Sequence, residues 1–210
     1  MTQFIQGKHG INEAQLDKIE VTHLGQYLQS QKVHKWATLV KLIQGWNATY
    51  KFLHIQNRQG SPICLCCQSC NETKEHVMTC IDDKAISHRI KSVHNLITAL
   101  SKASTDPNIL KAIMQYIKHI LNLPHETIQH TEYIREAIHH QNIIGWHQFI
   151  CGYISTKWGN AQEHFEQINR LCPQPNWRRR LISAVLHMHL SIWEDCNNFL
   201  YRQERQCPKL

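Results

Sequence analysis

Glycine and proline are sparse in this chain, eight and six in 210 residues, and no stretch alternates apolar and polar residues with a period of two. The first absence excludes collagen-like and low-complexity disordered classes, and the second leaves no half-buried strand to predict. No run approaches 18 apolar residues, and no N-terminal segment joins a charged flank to an apolar run. The chain is therefore expected to be neither membrane-spanning nor secreted, but intracellular, in nucleus or cytoplasm. A Gly-rich phosphate loop, Gly-x-Ser-x-Gly and His-Glu-x-x-His are all missing, so three common catalytic frameworks are absent.

What is present is the composition of a folded domain: 42% hydrophobic residues, six Trp, and a length sufficient for one sizeable core or two small ones. The formal net charge is +7, and the excess is uneven. Residues 1–60 carry seven Lys/Arg against three Asp/Glu, residues 171–210 carry six against three, and the middle is balanced. Basic ends of this kind admit polyanionic partners. Sixteen histidines are scattered without a repeating ligand spacing, so positive charge should climb as pH falls below about 6.5. The nine cysteines are odd in number and mostly clustered, which fits reduced thiols plus a metal better than a disulfide framework.

Five of those cysteines and one histidine fall between Pro62 and Cys80. The spacing Cys67-x2-Cys70-x5-His76-x3-Cys80 is that of a small tetrahedral zinc site. Two thiolates can reach one ion from a Cys-x2-Cys turn, and His76 and Cys80, four apart, share a helix face. The expected ligands are thus Cys67, Cys70, His76 and Cys80, holding a structural Zn2+ with no open position. Cys64-x2-Cys67 is also a Cys-x2-Cys, so Cys64 or Cys66 could replace one ligand. A redox Cys67/Cys70 pair is the competing use, but no strand–helix alternation surrounds it.

Elsewhere the periodicity is helical, and the expected fold class is all-α, a bundle-like domain carrying the knuckle. Asn12, with Gln15 three residues on, reads as an N-cap before Leu16, Ile19, Leu24, Tyr27 and Leu28. A helix is expected over Val33–Gln44 with Trp36, Ala37, Val40 and Ile43 inward, then a short one started by Asn47 or Thr49. Thr73 should cap the ligand helix, followed by helices over Lys84–Ser101 (Ile86, Ile90, Val93, Leu96, Ile97 and Leu100 inward) and Ile109–Leu121, the latter opened by Thr105-Asp106-Pro107. Tyr133–Ile138, Ile143–Trp158 and Trp177 to about Tyr201 complete the set, with Gly145 and Gly152 allowing close helix approach. This divides the chain into a lead-in over 1–60, a knuckle over 61–83 and a helical domain over 84–205.

Ile81-Asp82-Asp83 lacks the apolar hairpin that a polymerase or nuclease carboxylate pair needs, and reads as a cap or surface pair. Arg178, Arg179 and Arg180 carry positive charge at a helix start, against the helix dipole, so local stability does not explain them. They are the candidate nucleic-acid contacts, and Arg202, Arg205 and Lys209 would extend the patch.

The run Cys67-x2-Cys70, Glu72-Thr73, Glu75-His76-Val77 and Cys80 resembles the zinc-binding segment downstream of the polymerase in (non-LTR-like) retrotransposon reverse transcriptases. Lys35-Trp36, Thr105-Asp-Pro107, Gln141-x3-Gly145-Trp146 with Gly152 and Trp158, Trp177, and Trp193-x2-Cys-Asn look like flanking features of such polyproteins in microbial eukaryotes. The resemblance implies a zinc-stabilised module associated with RNA or DNA. It implies no catalysis: the Tyr/Phe-x-Asp-Asp motif is absent, and so is the Pro-Asp dipeptide of the endonucleases that follow some such knuckles. The readings carried forward are a nucleic-acid module, a protein-interaction domain or inactive remnant with purely structural zinc, and an enzyme whose zinc keeps an open site.

Overall fold

The last helix of the chain is the element on which most of the others pack. The computed structural model describes residues 10–206, with side chains through Asn198. Eleven α-helices and no strand are found among the described residues: α1 (Glu13–Leu16), α2 (Val21–Gln29), α3 (Val33–Ile43), α4 (Tyr50–Ile55), α5 (Lys74–Thr79), α6 (Asp83–Lys102), α7 (Pro107–Ile120), α8 (Glu132–Ile144), α9 (Trp146–Ile150), α10 (Thr156–Ile168) and α11 (Trp177–Gln206). The fold is all-α, as the periodicity requires. Helix α11 lies along α6 for most of its described length and also touches α2, α3, α5, α9 and α10. One apolar core runs from Ile11 through Val77 and Met78 to Trp193, so it crosses both expected boundaries, at 60/61 and 83/84.

Local chemistry starts the helices where the sequence says they start. Asn12 and Gln15 form a reciprocal capping box, Thr49 accepts from Phe52 N, and Thr73 accepts from His76 N. Asp82 caps α6 through Lys84 N and Ala85 N, and Asp106 caps α7 with Pro107 in its first turn. The acidic pair after the knuckle is thus occupied by capping at Asp82.

Three expectations are corrected. The first helix stops at Leu16, because residues 18–20 leave the helix to pair with residues 154–156: Ile19 bridges Ser155, Glu20 N donates to Ile154 O, and Thr156 N donates to Lys18 O. The second concerns Ile143–Trp158, which is not one helix. Gly145 and Gly152 adopt φ of 104° and 86°, and the chain breaks at each. Only glycine takes such backbone without strain, so both residues are corners of the chain; Gly152 also admits close packing, since Leu24 of α2 and Leu186 of α11 lie where a Cβ would sit. Gln141 holds the break together: its amide donates to the carbonyls of Gly145 and Tyr153, and its oxygen accepts from Ser155 N and Trp158 Nε1. Third, two apolar faces are rotated from expectation. On α3 the buried residues are Leu39, Leu42 and Ile43, with Trp36 exposed; on α6 Ile90 is exposed, and Arg89 and Ser92 are buried with Val93, Leu96 and Leu100.

Candidate metal centre

The chain enters the cysteine segment as a narrow hairpin. Ile63 bridges Asn71, Glu72 N donates to Pro62 O at 2.8 Å, and Cys64 N donates to Cys70 O at 2.8 Å. Between these limbs Gln68 N closes back on Cys64 O at 2.9 Å, with Gln68 itself left-handed at φ 52°. This turn brings Cys64 and Cys67 to one side. Helix α5 then presents His76 from its first turns, and Cys80 follows at the C-cap, where ψ of 133° takes the chain out of the helix.

The sulfurs of Cys64, Cys67 and Cys80 and a ring nitrogen of His76 all lie within 4.8 Å of one another. Cys67 Sγ is 3.4 Å from His76 Nε2, and Cys64 Sγ is 3.9 Å from Cys80 Sγ. A tetrahedron built on Zn–S of about 2.3 Å and Zn–N of about 2.05 Å has edges of about 3.8 Å (S–S) and about 3.6 Å (S–N). These two separations are close to those edges and the others stay within 4.8 Å, so the group could hold one metal ion with four protein ligands.

Three of the four expected ligands are in this group, and Cys70 is not. It is exposed, and it lies on the return limb of the hairpin, its carbonyl paired to Cys64 N. Cys64 takes its place because the tight turn is Cys64–Gln68, not Cys67–Cys70. Cys66 is half-buried and also lies outside the tetrad; with Cys196 of α11 it lines a small cavity of about 30 Å3 behind Cys64 and Cys80.

Cys64 and Cys80 are poor acids without a cation. A hydrogen bond with Cys66, together with burial, pushes Cys64 well above the normal thiol range, against the pull of the Cys67 and Cys66 backbone N–H groups. Burial pushes Cys80 up to about 12, opposed by the Asp82 N–H. His76 is lowered by burial and by Arg89, which keeps the imidazole neutral as a ligand must be.

Arg89 is the residue that sequence reasoning missed. Its side chain is 1% exposed; Nη2 donates to Cys80 O at 2.7 Å, while Nε and Nη1 are buried without partners. An unpaired buried guanidinium is costly. A divalent ion held by three thiolates and a neutral histidine carries one net negative charge, which that cation balances, so the residues fit a metal-loaded centre. The signal was available: Arg89 occupies the same stripe as Val93, Leu96 and Leu100. Glu72 is a second missed residue. It is fully buried and its carboxylate accepts from Tyr50 N at 3.0 Å, tying the knuckle to the start of α4.

The three arginines have separate fates. Arg178 forms ion pairs with Glu20 at 3.0 Å and Glu163 at 2.7 Å, and donates to Asn160 at 3.1 Å. Its guanidinium also covers Gly159, where an added Cβ would collide with it. Arg178 therefore joins α11 to α10 and the start of α2, and is not available to a phosphate. Arg179 and Arg180 are exposed.

A second constellation links α6 to α11. His88 Nε2 is 3.1 Å from Ser191 Oγ, and Nδ1 is 3.2 Å from Asp195 Oδ1. The order resembles a hydrolytic triad, but Nε2 also lies 3.1 Å from Ser191 O. Ser191 sits in a helix interior, with its backbone N–H committed to the helix, so the oxyanion donors of such a site are not supplied there. The ring acts as a tie between the two helices.

No helix among the described residues is long and apolar enough to cross a membrane. No protein-family model, no curated protein and no solved structure matches the chain.

Proposed function

We propose that this chain is a zinc-stabilised, non-catalytic helical module that associates with RNA or DNA, of the kind its knuckle resembles in reverse-transcriptase polyproteins. The observation that carries the zinc assignment is the Cys64–Cys67–His76–Cys80 tetrad with the buried Arg89 beside it, two of whose nitrogens lack hydrogen-bond partners. Three thiolates and an imidazole suit Zn2+, and four protein ligands leave it no position for a reacting water. The basic balance of the chain and the free Arg179 and Arg180 support a polyanionic partner.

Metal analysis of protein purified without added metal tests the centre. One zinc per chain is expected, lost in Cys64→Ser and His76→Ala and retained in Cys70→Ser. Loss in Cys70→Ser with retention in Cys64→Ser would overturn the ligand set. Titration of labelled RNA and DNA at low salt tests the partner class.

A protein-interaction role is the second reading, favoured by one observation. Trp36, Trp46, Phe52 and Ile55, all from the α3–α4 region, are each more than two-fifths exposed. Absence of nucleic-acid binding at low salt would turn the assignment to that reading.

A further inference from the structure

A groove of about 510 Å3 lies where the end of α2, the end of α6 and the start of α11 meet. Lys102, Arg179 and Arg180 bring three cations to its walls, and no Asp or Glu lines it. The ion pairs among the described residues involve none of the three. Arg178, their neighbour, shows the contrast, since two carboxylates neutralise it. Arg179 and Arg180 also stand in the first turn of a long helix, where the dipole adds positive potential instead of relieving it.

The floor of the groove is short of hydrogen-bond partners. Tyr27 is 4% exposed, and its buried hydroxyl makes no hydrogen bond of ordinary geometry, although the Ser183 hydroxyl lies beside it. Ser183 adds a further hydroxyl to the lining, whereas the Ser30 hydroxyl is committed to Tyr27 O at 2.7 Å. His187, at the groove's edge, accepts from Lys35 Nζ at 2.9 Å, which places a fourth cation just behind the wall. Clustered cations with no counter-charge, beside a buried tyrosine hydroxyl that lacks an ordinary hydrogen bond, form the donor set of a phosphate site.

We propose that this groove seats backbone phosphates of a bound nucleic acid, with Lys102, Arg179 and Arg180 supplying charge and the neighbouring Tyr27 and Ser183 hydroxyls supplying neutral donors. The proposal rests on the nucleic-acid reading above and narrows it to one face of the molecule, on the side formed by α2, α6 and α11. It also removes Arg178 from the contact set.

The test is fluorescence anisotropy with a labelled single-stranded RNA and a DNA of the same sequence, across a salt series. The proteins are wild type, a Lys102→Ala/Arg179→Ala/Arg180→Ala variant and a Lys84→Ala/Lys91→Ala control. Wild type and control should bind alike. The groove variant should lose about 0.7 from the magnitude of the log–log salt slope per cation removed, and on the order of 100-fold in affinity near 0.1 M salt. All three substituted groove residues are exposed, so an unchanged circular dichroism spectrum and zinc content are expected. Wild-type binding with an unchanged slope in the groove variant overturns the groove alone. No binding by wild type at low salt overturns the nucleic-acid reading itself.

Discussion

The contribution of Arg89 to stability depends on the state of the centre beside it. With metal bound it faces a net negative cluster; with the thiols protonated it is a buried cation with one hydrogen bond, to Cys80 O. Arg89→Met should therefore destabilise the zinc-loaded protein by about 3–5 kcal/mol, the usual cost of removing one partner of a buried pair. The same substitution should leave the metal-free protein no less stable. Urea unfolding with and without a strong chelator measures both, and equal losses in the two states would show Arg89 to be packing only. Among the ligands, the sequence made His76 and Cys80 plain, because a capped helix puts i and i+4 on one face. It left the first pair open between overlapping Cys-x2-Cys motifs. That choice rests on the backbone at Gln68, whose left-handed conformation no glycine announces.

Elements begin legibly and end less so. Capping residues are local chemistry: Asn12, Thr73 and Asp82 each start a helix from their own first turn, and Thr49 and Asp106 do so with added bonds from Glu72 and from Gln162 and Tyr133. Breaks are tertiary: the end of α1 depends on pairing with residues 154–156, and the α8–α9 corner depends on Gln141. The Gln141, Gly145 and Trp158 positions noted for their family likeness are accounted for by this corner, not by a ligand. Gly145→Ala should cost about 1–3 kcal/mol, since its φ of 104° is strained for any side chain and the new Cβ would press on Gln148. The urea midpoint should fall while zinc content stays at one. A midpoint unchanged within error would mean the corner relaxes freely. Buried polar residues at Arg89 and Ser92 explain why the inward face of α6 was rotated from an all-apolar reading.

For the molecule as a whole, acid should be destabilising before the carboxylates titrate. His189 is fully buried, donates from Nδ1 to Ile150 O at 2.9 Å, and is held down to about 4 by burial. Above about pH 6.5 the ring is neutral in both folded and unfolded chains and contributes nothing. Below that value the unfolded chain gains a proton that the folded chain refuses, so stability falls until about pH 4. Between pH 7 and pH 5 the loss from this one ring is about 2 kcal/mol. His130, His140 and His187 are lowered by burial as well and act in the same direction. His189→Gln should flatten the dependence relative to wild type in urea melts at pH 7 and pH 5. A slope equal to that of wild type would place the acid sensitivity elsewhere.

The position of α11 also has a consequence for how the chain is made. Arg178 clasps Glu20 across 158 residues, and α2 finds its main packing surface only on the final helix. A ribosome therefore releases the apolar faces of α2 and α3 long before their cover exists. The four candidate metal ligands, by contrast, span only residues 64 to 80 and can meet as soon as that segment emerges. Synthesis would thus complete a metal site before α11 emerges to cover the core, leaving until then a nascent chain whose knuckle is formed and whose core is open.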